Sequence, residues 1–295
     1  MSDSRKLPVF TSVGEVLSGV TRHYFQLLMV AWPALLIITF GVFVIGWQYY
    51  NVGLFSAYTA DNGGPDVEAI MAAEAKLQTS TNMVFGSVMQ LALAVASAVA
   101  AVRWHRFVLL GEGTGGVGGV QPLRREDGSY VWATIKIFVV LVLLILAFAS
   151  VLVGIASLRL PDAAMSILGL VSVIAFFWLY LAFFRMMLAL PDAALGQGGR
   201  LGDMYKASTG NGWRLLGFGF LLCLAVITIV ALVAALFAAI FTTLGVKVST
   251  SPIALSLIAV AYIAVYLFFL MTQITMLSVA YREIIGLPPV PSRPI

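Results

Sequence analysis

The sequence predicts an all-α fold: a polytopic membrane protein of six transmembrane helices, arranged as three hairpin repeats with interfacial amphipathic helices. Three observations carry that reading. The chain is 61% hydrophobic and 10% charged, against roughly 25% charged residues in a soluble domain. Six apolar runs, Phe25 to Tyr50, Met83 to Val102, Val131 to Ala156, Ser166 to Leu190, Leu215 to Leu244 and Ile253 to Ala280, reach the length of about 20 helical residues that a hydrocarbon core requires. The third observation is internal similarity. Val13-Gly14-Glu15-Val16 through Thr21, Phe25, Leu27 and Leu28 aligns without gaps on Leu201-Gly202-Asp203-Met204 through Thr209, Trp213, Leu215 and Leu216, and each copy leads into a long apolar run.

In chain order, residues 1–24 read as a cytoplasmic N-terminal segment with a surface helix. Ser12 and Glu15 have capping-box spacing, so a short helix is expected to start there and carry Val13, Val16, Leu17 and Val20 along the membrane before turning into the first span. Met1 to Tyr24 has no continuous apolar core, so a removed signal peptide is not expected. Residues 25–110 form the first hairpin, with an external loop at 51–80. In that loop Pro65-Asp66-Val67-Glu68 predicts a helix start, and Val67, Ile70 and Met71 give the short helix a face to dock.

A glycine-rich linker over 111–130 precedes the second hairpin, 131–190, and residues 191–214 carry a second surface helix. Gly210 and Gly212 around Asn211 are expected to bend the chain from that helix into the third hairpin, 215–281, which is followed by a tail over 282–295. Small residues four apart, Ala92/Ala96/Ala100, Ser150/Gly154 and Ala231/Ala235/Ala239, predict close helix packing within the chain. Cys223, the single cysteine, lies inside the fifth run and is read as a small packing residue.

Charge sets the expected orientation. Arg5, Lys6, Arg22, Arg103, Arg106, Arg124, Arg125, Arg185, Arg200, Lys206, Arg214, Arg282 and Arg293 fall on one set of inter-span segments, and only Lys76, Arg159 and Lys247 on the other. Lysine and arginine beside spans stay cytoplasmic. Both termini are therefore expected in the cytoplasm, and a bacterial cytoplasmic membrane is the expected location. Positive-inside sorting alone explains the net charge of +4, and no aromatic-interleaved basic tract points to nucleic acid.

Chemistry-bearing motifs are sparse. Gly111-Glu112-Gly113-Thr114-Gly115-Gly116 has dinucleotide-binding spacing, but that signature requires a strand before it and a helix after it, so a linker is the expected reading. His23 and His105 lie beside arginines at predicted boundaries, without a second histidine or cysteine at ligand spacing, and no metal or cofactor is expected. Asp162, Asp192 and Asp203 are placed in turns or surface helices, so no paired-aspartate protease is expected. No span carries a mid-membrane acid of the kind that couples ions to transport. Gln90, Tyr262, Tyr266 and Gln273 are the deeper polar groups and are expected to bond between helices.

Each return helix ends alike. Arg106 precedes Phe-Val-Leu-Leu-Gly111, Arg185 precedes Met-Met-Leu-Ala-Leu-Pro191, and Arg282 precedes Glu-Ile-Ile-Gly-Leu-Pro288. A guanidinium at such a boundary reaches headgroup phosphate while its stem stays in the apolar layer. Arg106, Arg185 and Arg282 are therefore the candidate lipid-headgroup contacts, with membrane lipids, anionic ones included, as the expected partners.

The entry segment Thr11-Ser12-Val13-Gly14-Glu15-Val16-Leu17-Ser18, running on to Tyr24-Phe25-Gln26-Leu27-Leu28, resembles a bacterial integral-membrane family: the membrane domain of glycerophosphoryl diester phosphodiesterases. The resemblance implies repeated helical hairpins, each preceded by a Val-Gly-Glu-containing surface helix. It carries over no catalytic residue, because in those enzymes the chemistry belongs to a separate soluble domain. The expected function is a non-enzymatic membrane protein that scaffolds or binds lipid in envelope homeostasis. The alternative is a permease for an apolar or amphipathic molecule or lipid.

Overall fold

The computed structural model describes residues 6–54, 57, 66–112, 123–157, 161–243, 245 and 252–285. Among them every regular element is helical: α1 (Val9–Asn51), α2 (Val67–Leu77), α3 (Ser80–Leu110), α4 (Arg125–Ala156), α5 (Asp162–Met187), α6 (Ala189–Ala194), α7 (Leu201–Ala207), α8 (Gly212–Thr243) and α9 (Pro252–Ile285). Six of these, α1, α3, α4, α5, α8 and α9, contain stretches long and apolar enough to cross a membrane, which makes the chain a multi-pass membrane protein.

The six long helices follow one another in a closed order of neighbours. α1 packs on α3, α3 on α4, α4 on α5, α5 on α8, α8 on α9, and α9 back on α1. Burial is concentrated at one end, where α1, α4 and α8 begin and α3, α5 and α9 finish. There Val16, Val20, Trp104, Phe107, Ala133, Phe218, Met271 and Tyr281 form a continuous core. Toward the other end the faces carrying Leu143, Phe176, Trp178, Leu232 and Leu236 are exposed. Apolar helices can stay uncovered in this way only where lipid, not water, surrounds them.

α1 differs from the expected surface helix followed by a bend. It is one helix of 43 residues, starting at Val9 with Pro8 at its N-cap and no side-chain cap, and at 1.5 Å per residue it is about 64 Å long. Ser12 is interior and buried, so the Ser12–Glu15 capping box does not form. No glycine or proline stands at the predicted bend, and the helix also continues through Pro33. Val16, Val20, Leu27, Ala31, Leu35 and Ile38 keep one buried stripe running through the predicted bend. The second surface helix does separate from its span. α7 ends at Ala207, and Gly210, with φ of 83°, adopts the left-handed conformation that turns the chain into α8.

Other local readings divide. Asp66 is the N-cap of α2 and its side chain accepts from the Ala69 amide at 3.0 Å, one residue past the predicted start. Ala73, however, is the buried residue of α2, and Val67 and Met71 are exposed, so they do not form its docking face. Residues 125–130, predicted as linker, are the first turns of α4; Asp127 at the third position accepts from the Arg124 amide at 2.7 Å and starts that helix early. Gly111 ends α3 in the left-handed conformation with a 31-residue helix, not a strand, before it; Gly113 to Gly116 lie outside the described residues.

Of the small-residue stripes, Ala96 and Ala100 are buried, whereas Ser150, Gly154, Ala231, Ala235 and Ala239 are exposed. Cys223 is also exposed and does not pack in the core as predicted. Among the described residues, no neighbouring helix covers these faces of α4 and α8.

Candidate functional site

The packed end draws its polar chemistry from the last turns of α3. Arg103, Trp104, His105 and Arg106 follow one another at 100° per residue, so four large hydrogen-bonding side chains point in four directions. Arg103 Nη2 meets Asp127 Oδ2 of α4 at 3.2 Å. Trp104 Nε1 donates to the Leu27 carbonyl of α1 at 2.7 Å. His105 Nδ1 lies 2.7 Å from Ser278 Oγ of α9, and Arg106 Nη1 donates to the Ala194 carbonyl of α6 at 3.1 Å. A single stretch of α3 thus ties together α1, α4, α6 and α9.

Ser278 Oγ also donates to the Ile274 carbonyl of its own helix at 3.0 Å. The fully buried His105 and Ser278 therefore act here as a strut between α3 and α9. The burial of His105 inside the protein is not legible from its place beside two arginines at the end of an apolar run. A signal for it lies instead in the whole run Arg103-Trp104-His105-Arg106, since four bulky polar residues in succession after an alanine-rich helix require partners on all sides.

Asp192 is likewise buried, not set on a surface turn. Its Oδ1 accepts from Tyr281 Oη at 2.9 Å and its Oδ2 from the Gly199 amide at 2.9 Å, while Tyr281 Oη also lies 3.0 Å from Gln197 Oε1. All six residues of α6 are buried, and Lys136 Nζ of α4 reaches the Gly199 carbonyl at 3.3 Å. Gly199 has φ of 58°, and a Cβ there would stand 2.9 Å from Ala193 Cβ and 3.1 Å from the Ala189 carbonyl oxygen. Gly199→Ala is therefore expected to lower stability by about 2 kcal/mol or more, read as a lower unfolding midpoint in detergent. A midpoint equal to wild type would refute the close approach.

Of the deeper polar residues, Gln90 and Tyr262 are exposed and make no side-chain bond to another helix among the described residues. Arg106, Arg185 and Arg282, the three arginines expected at headgroups, each have partners within the chain. Arg106 forks onto both carboxylate oxygens of Glu112 and lies 3.8 Å from Glu126. Arg185 donates to Ser208 Oγ at 3.1 Å, to Thr209 Oγ1 at 3.0 Å and to the Tyr205 carbonyl, with its guanidinium 3.7 Å from the Tyr205 ring centroid. Arg282 Nη2 reaches the two Glu15 oxygens at 2.6 and 2.7 Å and Glu283 at 3.1 Å.

The structure does not bring these arginines to one place, but it gives them one role. Arg106, at the end of α3, holds the approach to α4. Arg185, at the end of α5, holds the α7 segment leading into α8. Arg282, at the end of α9, closes on α1. Each clasps the entry to the next long helix, and the third returns to the first. Leu7 reinforces the closure: its side chain is buried, its amide donates to Asn211 Oδ1 at 3.0 Å, and its carbonyl accepts from Arg214 Nη1 at 3.0 Å.

The forked Arg106 bonds, reinforced by Arg124 Nη1 at 3.0 Å, hold the Glu112 carboxyl below its ordinary value of 4.5. A carboxyl depressed in the folded state contributes stability above its unfolded value, and that contribution disappears as pH falls through the folded one. The unfolding midpoint is therefore expected to be flat with pH at this site above 4.5 and to fall below it. Glu112→Gln should remove part of that fall; acid profiles that superimpose for wild type and variant would refute the assignment.

A scan against protein-family models and searches of curated proteins and of solved structures find no match to this chain.

Proposed function

We propose that this is a non-enzymatic integral membrane protein of a bacterial cytoplasmic membrane, built of three hairpin repeats, which scaffolds or binds lipid in envelope homeostasis. Its packed end and both termini face the cytoplasm. The reading rests on one observation above all: the polar groups of the packed end are directed at one another, closing helix onto helix through Arg106, Arg185 and Arg282. The outward apolar faces of α4, α5 and α8 are left for the bilayer. The likeness of the Val13-Gly14-Glu15 entry segment to the phosphodiesterase membrane-domain family belongs to the same proposal.

Purification of the full chain in mild detergent, followed by mass spectrometry, tests it. Stoichiometric phospholipid or a stable protein partner is expected, and a protein that retains neither overturns the reading. The orientation has its own test in a Cys223→Ser background. Gly63→Cys and Ser249→Cys should react with an impermeant thiol reagent from outside intact cells, and Gly118→Cys should not. The reverse pattern would invert the topology.

One observation favours a second reading, a permease for an apolar or amphipathic molecule. Away from the packed end the faces bearing Leu143, Phe176 and Leu232 are uncovered among the described residues, as a lateral entry for such a molecule requires. Flux of a labelled lipid in proteoliposomes separates the two, since a scaffold gives none above protein-free vesicles.

A further inference from the structure

The arginines that the sequence singles out for headgroups already hold carboxylate, hydroxyl or carbonyl partners in the chain, which leaves other cations freer to meet anionic headgroups. Around the outside of the packed end, Arg22 of α1, Arg125 of α4 and Lys206 of α7 are exposed, and their side chains make no hydrogen bond or ion pair among the described residues. The neighbouring acids Glu15 and Glu283 pair with Arg282, Glu112 and Glu126 with Arg106, Asp127 with Arg103 and Asp203 with Arg200, and Asp192 accepts from Tyr281, so these seven acids face the twelve described lysines and arginines Lys6, Arg22, Arg103, Arg106, Arg124, Arg125, Lys136, Arg185, Arg200, Lys206, Arg214 and Arg282. The outward field of this rim is therefore positive.

Each entry helix also shows one large aromatic side chain near those cations. Phe25 is 78% exposed, Trp132 60% and Trp213 68%. Arg22 and Phe25, three residues apart, and Arg125 and Trp132, seven apart, share faces of α1 and α4. Lys206 lies in α7, directly before the turn into the helix that carries Trp213. Along a helix the first two separations are about 5 Å and about 10 Å. That is the scale of the headgroup layer, in which a bilayer about 40–45 Å thick surrounds a core of about 30 Å. An aromatic ring at the edge of the hydrocarbon with a cation one or two turns farther out matches the layering of a phospholipid, ring against glycerol and charge against phosphate.

We infer that Arg22, Arg125 and Lys206, each with its aromatic neighbour Phe25, Trp132 or Trp213, form a rim that selects anionic phospholipid headgroups of the surrounding leaflet. The inference rests on the lipid-binding reading above and names the headgroup class and the residues that take it. Because the three cations have no partner within the described chain, neutralising them removes headgroup attraction without opening the arginine clasps.

The test uses the full chain in mixed micelles, with phosphatidylglycerol and phosphatidylcholine competing for retention in native mass spectrometry. Wild type should prefer phosphatidylglycerol. The variant Arg22→Gln/Arg125→Gln/Lys206→Gln should lose about tenfold or more of that preference while keeping the wild-type unfolding midpoint. The charge-preserving variant Arg22→Lys/Arg125→Lys/Lys206→Arg should keep the preference. Undiminished preference in the glutamine variant overturns the rim, as does loss of the preference in the charge-preserving variant or its abolition by millimolar inorganic phosphate, which would mark a site for a soluble anion. A wild-type protein that retains neither lipid instead overturns the lipid-binding reading itself.

Discussion

Arg103→Met is expected to be among the most destabilising single substitutions in this protein, at about 3–5 kcal/mol. Arg103 and Asp127 are each 5% exposed at the side chain and meet at 3.2 Å. Removing the guanidinium leaves a carboxylate buried between helices, where the lost solvation is not replaced. The helix N-terminus of α4 and the Arg124 amide, 2.7 Å from Asp127 Oδ2, offset only part of that cost. The same argument makes the double variant Arg103→Met/Asp127→Asn more stable than Arg103→Met alone, because the asparagine oxygen still accepts from Arg124 and no charge is stranded. Equilibrium unfolding in detergent with increasing denaturant measures both. A single variant within 1 kcal/mol of wild type, or a double variant no better than the single, would show that the pair is not effectively buried.

Trp104→Ala is expected to cost about 3–5 kcal/mol. The indole is fully buried among α1, α3 and their neighbours, and its Nε1 donates to the Leu27 carbonyl at 2.7 Å. Truncation opens a cavity at the point where α1, the longest helix, is anchored to α3. Trp104→Phe keeps most of the volume and should lose only about 1 kcal/mol, the net value of one hydrogen bond. Chymotryptic cleavage in the first half of α1 gives an independent reading, because loosening this contact should raise it in Trp104→Ala well above Trp104→Phe. Equal cleavage in the two variants would mean that the hydrogen bond, and not the packing, holds α1.

The clasp arginines show why a repeat can be legible while its role is not. The recurrence of Arg106, Arg185 and Arg282 before an apolar turn is a sequence fact, and their place at helix ends follows from the apolar runs that precede them. Their partners are not local. Glu15 lies far from Arg282 in the chain, and Ser208 and Thr209 are reached only because α7 folds back toward α5. A boundary arginine facing phosphate and one facing a carboxylate of the same chain have the same sequence surroundings, and only the closed order of helices separates them. In the same way His105 and Asp192 sit beside arginine and proline as boundary residues do, yet both are buried, against Ser278 and Tyr281 of α9.

What the sequence determined by itself is everything that depends on composition and local periodicity. The all-α class and six helices able to cross a membrane follow because a backbone in hydrocarbon must satisfy its hydrogen bonds within each segment. The turn at Gly210 and the cap at Asp66 are likewise set by the residues that stand there. What only the tertiary structure decided is where each polar side chain finds its partner. α1 continues as one helix through its predicted bend, Cys223 and the alanines of α8 face outward, and the boundary arginines clasp protein. The physical reason is that hydrogen bonds and ion pairs act over about 3–4 Å, so their formation depends on which helices are neighbours, and adjacency between distant segments leaves no trace in the spacing of residues along one helix.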